Sequence, residues 1–372
     1  MHRASPRPVP SRTPLYDVHQ ALGARFTDFA GWSMPLRYTS ETAEHHAVRA
    51  SAGLFDLSHM GQISVTGPEA GRALDYALVG SFASLAVGSA RYTMLCHGNG
   101  GVLDDLVVYR LEPRLFLVVA NAANAAVVLS ELRDRFDGFG AYADLADDRA
   151  LIAVQGPAAD RILACPQASA LRYYQAAAVR WADRPVVIAR TGYTGEDGFE
   201  LFCRGEDAAE LWSALIRAGE PHGLRPAGLA CRDTLRLEAG MPLHGNELHV
   251  GVSPYEANLG RVVDLANKGD FVGRRALAAL AAEPPQSTLV GLTSAGRRAA
   301  RAGHPILDPA DGHTIGRITS GAPSPTLGHP IALGYVLSAY AETGRGVAVS
   351  IRGTDEPFVV TAPRFYRRKD IR

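Results

Sequence analysis

The feature that most constrains this 372-residue chain is a repeat inside it. "ISVTGPEAGRALDYAL" (63–78) and "IAVQGPAADRIL" (152–163) share one pattern: a β-rich run, then Gly-Pro, then apolar residues at helical spacing. Pro68 and Pro157 suit a first helical turn, where a missing N–H is no loss. The continuation agrees in kind. "DDLVVYRLEPRLFLVVAN" reads as a hairpin leading to the helical "AANAAVVLSELRDRF", and "VVIARTGYTGEDGFELFC" as a second hairpin, with a longer glycine-rich loop, leading to "EDAAELWSALIRAG". Each unit is expected to run strand, helix, strand, strand, helix, as ferredoxin-like α+β units do. The chain is thus expected to be an internal duplication, with repeats near 60–137 and 150–219.

A different texture begins past "AAEPPQS" (281–287), where two prolines interrupt a helical pattern. "TLVGLTS", "GRITSG", "IALGYV", "GVAVSIRG" and "PFVVTAPRFY" are short strand-like runs at regular spacing, the pattern of a small all-β, barrel-like domain. The start, "MHRASPRPVPSR", lacks the apolar core of a secretory signal and reads as a disordered tail. The expected division is a tail over 1–12, an α+β region of two intertwined domains over 13–283, and a β domain over 288–372.

Charge excludes little but is informative. Basic and acidic side chains number 38 each, so bulk charge gives no sign of a nucleic-acid partner or an anionic membrane. No apolar run reaches the roughly 18 residues of a membrane span, and cytoplasm is the expected location. Of the 38 basic residues 36 are Arg; the two lysines, Lys268 in a polar turn and Lys369 near the C-terminus, are poor Schiff-base candidates. Cys96, Cys165, Cys203 and Cys231 are scattered, without a C-x-x-C pair, as in a reduced protein with neither a zinc site nor a disulfide framework.

The chain has no phosphate-binding P-loop, no H-E-x-x-H and no G-x-S-x-G elbow. The glycines of "TGYTGEDGFE" fall between strands, not at a helix start, and do not form the dinucleotide fingerprint. His45 and His46 lie about 100° apart on a predicted helix and converge poorly on one metal, so no metal is expected. Three charged places remain. In "GGVLDDLVVYR" (100–110), Asp104 and Asp105 must point to opposite faces of a strand, and an inward carboxylate needs a partner. Glu200 alternates with Phe199 and Leu201 in "GFELF", and Arg232 shares a helix face with Arg236 in "GLACRDTLRLEAG". Glu200 and Arg232 are either ordinary exposed charges, a buried ion pair with each other, or the two ends of a site for a flat heterocycle. The last fits the chemistry: a carboxylate suits an amidine-like N–H pair and a guanidinium suits a carbonyl oxygen.

Eight motifs in order carry a resemblance covering about residues 13–368: "TPLYDVHQALGARFTDFAGWSMPLRY", "GLFDLSHMG", "GGVLDDLVVY", "VVANAAN", "ARTGYTGEDGFELF", "RPAGLACRDTLRLEAGMPLHG", "ITSGAPSPTLG" and "PRFYRR". Together they resemble the T-protein family of the glycine cleavage system, the tetrahydrofolate-dependent aminomethyltransferases. The resemblance implies a three-domain cloverleaf around a central folate channel, tetrahydrofolate as one-carbon acceptor, a lipoylated H-protein as partner, and a monomer. It places the family's catalytic aspartate on Asp105, leaving Asp104 structural or solvated. Its folate-contacting positions fall on Met60, Tyr92, Asn121, Tyr173, Tyr193, Glu200, Arg232 and Tyr366; for the aromatic residues, core packing is the competing reading. The chain departs from the pattern at Arg261, where the family commonly has Trp, and more mildly at Asn246, where Gln or His is usual. Two other functions on this scaffold are a folate-dependent demethylase of a small methylated substrate and a non-catalytic folate-binding protein of iron–sulfur assembly. The latter's Lys-Gly-Cys segment followed by Gly-Gln-Glu does not occur in this sequence.

Overall fold

The computed structural model describes residues 9–146 and 148–368. The expected tail over 1–12 lies outside the described residues as far as residue 8, and residues 9–12 are described. Ser11 bridges Trp32, exchanging backbone hydrogen bonds with Gly31 and Ser33, which ties the entering chain to the ribbon of β1 (Arg25–Phe29) and β2 (Trp32–Arg37). Around this ribbon lie α1 (Tyr16–Ala21) and α2 (Glu41–Ala50), followed by β3 (Gly53–Asp56). The Ser40 side chain caps α2 by accepting from the backbone N–H of Ala43, with Glu41 and Glu44 in the first turn and Arg49 in the last, as the helix dipole favours.

The first repeat runs β4 (Gly61–Thr66), α3 (Ala70–Ala77), β5 (Ser89–Cys96), β6 (Val102–Glu112), β7 (Leu115–Ala120), α4 (Ala125–Arg135) and β8 (Tyr142–Leu145), in the sheet order β5-β6-β7-β4-β8. The second runs β9 (Arg149–Gln155), α5 (Ala159–Leu163), α6 (Pro166–Ser169), β10 (Ala176–Trp181), β11 (Arg184–Ala189), β12 (Gly198–Arg204), α7 (Ala208–Gly219) and β13 (Arg225–Pro226). Its sheet order is β10-β11-β12-β9-β3-β13, the same order with β3 inserted next to β9. Each unit thus has three consecutive antiparallel strands between its helices, one more than expected. The missed strands, β5 and β10, contain "SARYTMLC" and "AAAVRW", whose small and polar residues blur the alternation that marks a strand.

The Gly-Pro signature has the same job in both copies, though not as first helical turn. Pro68 and Pro157 lie in turns two residues ahead of α3 and α5. The preceding Gly67 and Gly156 have φ of 124° and 138°, and a Cβ there would fall 2.2 Å from Gly140 O and 2.4 Å from Ser51 O. No other residue fits, because the turn needs both positive φ and backbone contact.

Strand alternation builds the layers. In β7, Phe116, Val118 and Ala120 enter a core under α3 and α4, while Leu117 and Val119 face the other sheet. In β9, Ile152 and Val154 pack toward α5 and α7 around the buried Trp212, and Leu151 and Ala153 return the contact from the first sheet. The two sheets thus stack through one shared apolar layer. It also receives Val48 of α2 and Cys231 and Leu235 of α8 (Leu229–Glu238).

After α9 (Arg274–Ala281), which ends just ahead of the two prolines, the chain forms a closed barrel of β14 (Ser287–Thr293), β15 (Pro305–Leu307), β16 (Thr314–Pro323), β17 (Pro330–Leu337), β18 (Gly346–Ile351) and β19 (Thr354–Thr361). The three-residue β15 is too short to show alternation in sequence. The barrel attaches through Leu237 of α8, which packs with Leu289, Ala322, Ile331 and Leu333. No described helix is long and apolar enough to cross a membrane. All four cysteines are buried free thiols.

Candidate functional site

Alternation also decides where the paired carboxylates go. In β6, Leu106 and Val108 belong to the core under α3 and α4, and Val107 and Tyr109 to the layer between the sheets. Asp104 takes the first direction and Asp105 the second. Asp104 is 0% exposed; its carboxylate accepts from Asn121 Nδ2 at 2.8 Å, Asn121 N at 3.2 Å and Asn124 Nδ2 at 3.2 Å. Of the two alternatives for it, structural and solvated, the structure selects structural: its side of the strand is core, and amide donors offset the desolvation.

Asp105 accepts from the Tyr92 hydroxyl at 3.0 Å and from Asn121 Nδ2 at 2.9 Å. One amide therefore reaches both carboxylates even though they leave opposite faces. A bulge permits it: Leu95 pairs with Asp104 and Cys96 with Val102, so Leu103 is unpaired and the strand bends just before the pair. Burial, and then the negative charge of Asp104, push the Asp105 carboxyl up to about 6; burial pushes Asp104 up to about 6 as well.

Glu200 reaches the same layer from the second sheet. In β12, Phe199, Leu201 and Cys203 face α5 and α7, whereas Phe202 faces the first sheet, and Glu200 shares its side. Its Oε2 accepts from Thr191 Oγ1 at 2.5 Å and from the Tyr109 hydroxyl at 3.0 Å. The glycine spacing around it serves packing: a Cβ on Gly192 or Gly198 would lie 2.0 or 2.4 Å from the buried Gln155 side chain, which bonds Thr191 O and Thr194 Oγ1.

The guanidinium of the half-buried Arg232, in the first turn of α8, makes no hydrogen bond or ion pair among the described residues. Its guanidinium carbon stands 4.9 Å from the Tyr193 ring centre. Burial lowers its pKa from the usual value, and the Glu200 charge works against that shift. The ion pair with Glu200 considered from sequence does not form. The helix neighbour Arg236, by contrast, is fully bonded, to Glu247 at 2.9 Å, Asp233 at 2.8 Å and Ser320 at 2.8 Å, and Asn246 also donates to Ser320.

The remaining positions spread around this centre. The Tyr193 hydroxyl donates to Pro242 O. Met60 is half-buried against the inter-sheet layer. Tyr366 stacks its ring 3.9 Å from the Arg49 guanidinium and donates its backbone N–H to Glu238 O at 2.7 Å. Tyr173 is 55% exposed, edge-on to Tyr174 with ring centres 4.8 Å apart. Three residues near the centre escaped sequence reasoning. Tyr174 (φ 63°) belongs to the inter-sheet layer and feels the charges of Glu200 and Asp105. His244 lies within 3.0 Å of Asn124 Nδ2, and Asp105 raises its pKa against the lowering by burial. His59 is buried with an unpartnered Nδ1 and is pushed down to about 4, by burial first. His244 and His59 stand inside "MPLHG" and "SHMG", the available signal for both. Lys268 donates to Asp75 O at 2.6 Å, to Leu78 O and to Gly80 O at 2.8 Å, capping the end of α3.

Sequence comparison bears on what this arrangement is for. Residues 15–267 match the GCVT N-terminal domain, and residues 288–367 match the glycine cleavage T-protein C-terminal barrel domain. The chain belongs to the glycine cleavage T-protein family. It is 59% identical to an aminomethyltransferase of Saccharopolyspora erythraea, across 96% of this chain and 99% of that one, and 57% identical to one of Streptomyces avermitilis, across 97% and 99%. The crystal structure of the glycine cleavage system aminomethyltransferase T from Bartonella henselae superposes with a TM-score of 0.90 at 38% identity, covering 96% of this chain and 99% of that one. The chain is an enzyme, an aminomethyltransferase of the glycine cleavage system, and the family's substrate is tetrahydrofolate.

Among the described residues, Asp308, Asp311 and His313 could together approach a metal ion. They lie at the exposed turn between β15 and β16, on the barrel and outside this site.

Proposed function

We propose that this site takes the aminomethyl group carried on the dihydrolipoyl arm of H-protein and passes its carbon to tetrahydrofolate. The balance is closed without a redox partner. One C–S and one C–N bond break, two C–N bonds form to the folate nitrogens, and the two N–H protons end on the thiol and on ammonia. The products are 5,10-methylenetetrahydrofolate, ammonia and dihydrolipoyl H-protein.

Arg232 carries this reading. A half-buried guanidinium without a protein partner is costly, and Arg49, Arg135 and Arg236 are all paired. Arg232 supplies donors for a carbonyl oxygen, and Glu200, held by Tyr109 and Thr191, supplies an acceptor, which fits the two edges of a pterin. Asp105 orients the folate nitrogen at position ten and stabilises positive charge developing on the transferred carbon. Assistance of this kind is worth about 10² to 10⁴ in rate. Tyr92 and Asn121 fix the Asp105 carboxylate, and Met60, Tyr173, Tyr193 and Tyr366 line the folate's path. We assign residues 13–283 to the catalytic folate-binding region and 288–372 to the C-terminal β domain of a cytoplasmic monomer.

The test is methylenetetrahydrofolate formation from tetrahydrofolate and aminomethyl-lipoyl H-protein, with free H-protein as control. Product from wild type that falls at least a hundredfold in Asp105→Asn, with folate affinity largely kept, is the expected result. Folate affinity lost in step with turnover would overturn the role given to Asp105.

A further inference from the structure

An open cleft of about 620 Å³ leads away from the catalytic carboxylate and is lined by Gly80, Ser81, Arg91, Tyr92, Arg261 and Asn267 among others. Tyr92 joins it to the chemistry, because the same side chain that walls the cleft donates to Asp105 at 3.0 Å. The charges in the cleft are unequally committed. Asp264 is satisfied from within, accepting from Ser81 Oγ at 2.5 Å and from Asn267 N at 2.9 Å. Lys268 behind it is held by three carbonyls. Arg91 has one hydrogen bond, to Ser81 O at 2.5 Å, which leaves most of its guanidinium donors open. Arg261, in the single turn Gly260–Val262 packed beside β5, is exposed and makes no hydrogen bond or ion pair among the described residues. The cleft therefore presents two available guanidinium groups, while its one lining carboxylate, Asp264, is engaged by Ser81 and Asn267.

We infer that Arg261, with Arg91 beside it, is an anion subsite that takes the carboxylates of the glutamyl tail of the folate and sets the preference for tail length. The inference rests on the proposed folate reading of the central site. Tetrahydrofolate is a long molecule with a polar heterocycle at one end and carboxylates at the other. With the ring edge between Glu200 and Arg232 and its nitrogen at Asp105, the benzoyl group passes Tyr92 and the tail enters the cleft. Planar guanidinium groups match carboxylates in bidentate fashion, and each γ-linked glutamate adds another carboxylate. The subsite is open to water, so its contribution is moderate and screened by salt.

Equilibrium binding of three probes tests this: tetrahydropteroate, which ends at the benzoyl group, tetrahydrofolate, and tetrahydrofolate triglutamate, each at low and high salt. Wild type is expected to bind the triglutamate about tenfold tighter than tetrahydropteroate at low salt, with the advantage shrinking at high salt. Arg261→Ala should flatten the series to within about twofold, and Arg261→Lys should keep part of it because the charge remains. An unchanged series in Arg261→Ala overturns the subsite. So does an unchanged series joined to a raised KM for H-protein, which would give Arg261 to the protein partner. Equal binding of all three probes by wild type overturns the subsite and leaves the ring site standing, whereas binding of none overturns the folate reading itself.

Discussion

The hydroxyl of Tyr109, on the first sheet, donates to the carboxylate of Glu200, on the second, across 3.0 Å of the layer between them. Tyr109 lies four residues beyond Asp105 on the same side of β6, so one strand face both carries the carboxylate proposed to be catalytic and steadies the one proposed to bind the pterin. The internal duplication is what brings two such strand faces together. Tyr109→Phe removes this bond and leaves Thr191 as the remaining donor to Glu200. We expect a loss of about 1 kcal/mol in folate affinity, read as a raised KM at nearly constant kcat. A kcat that falls as far as kcat/KM would contradict it.

Arg232 and Arg236 are four residues apart on α8 and should fail in opposite ways. Arg232→Met removes no side-chain hydrogen bond or ion pair among the described residues, only the approach to the Tyr193 ring, so the melting temperature is expected to hold or rise. Folate affinity is expected to drop by about 1.5 to 3 kcal/mol. Arg236→Met strands the buried Glu247 carboxylate and is expected to destabilise by about 3 to 5 kcal/mol. Calorimetry and folate titration on both variants separate the two roles.

The carboxyl pair predicts the pH profile. Asp105, raised to about 6, must be ionised to act, so kcat/KM should fall below about pH 6. Removing the neighbouring charge in Asp104→Asn lowers the Asp105 pKa, and the acid limb should move to lower pH. An unmoved limb would mean that another group sets it.

The same pair has a stability consequence of definite sign. A carboxyl raised in the folded state binds more protons folded than unfolded between about pH 4 and 6, so ionised Asp105 opposes folding above that window. Asp105→Asn is expected to stabilise the protein by about 1 to 2 kcal/mol at pH 7.5, with the gain vanishing near pH 4, while activity collapses. Denaturant unfolding at both pH values checks this.

Glu238 has the reverse sign. Burial alone would raise it, but hydrogen bonds from His45, Ser324 and Arg49 prevail and hold it at about 2. Through Ser324 and Thr326 it fastens the barrel to α2 and α8. Its contribution is present above the ordinary glutamate range and is lost as pH falls from about 4.5 toward 2. Glu238→Gln should therefore unfold more readily at neutral pH and lose much of the wild type's further destabilisation in that acid window, as thermal melts across the range would show.

Much of this was legible in sequence because it is local. Alternation gave the hairpins, Gly-Pro marked the matching turns ahead of α3 and α5, and paired prolines marked the border of the barrel. Strands failed to show where local signals are weak, as in the small-residue β10 and the three-residue β15. His59, Tyr174 and His244 were missed for another reason: a burial or a bent backbone is created by neighbours distant in the chain.

The sequence by itself determined that Asp104 and Asp105 leave opposite faces of one strand, since a side-chain period of two is a covalent property of extended backbone. It also determined that two like units exist, whose strands present Asp105 and Glu200. Which carboxylate lies under helices and which lies between sheets was decided by tertiary structure, because the layer each face meets is supplied by strands and helices far along the chain. The same holds for Arg232 and Arg236, equal in sequence pattern and opposite in fate. Partners from the 241–247 loop and the barrel reach Arg236, whereas no such partner among the described residues reaches the Arg232 guanidinium, the group proposed to meet the folate.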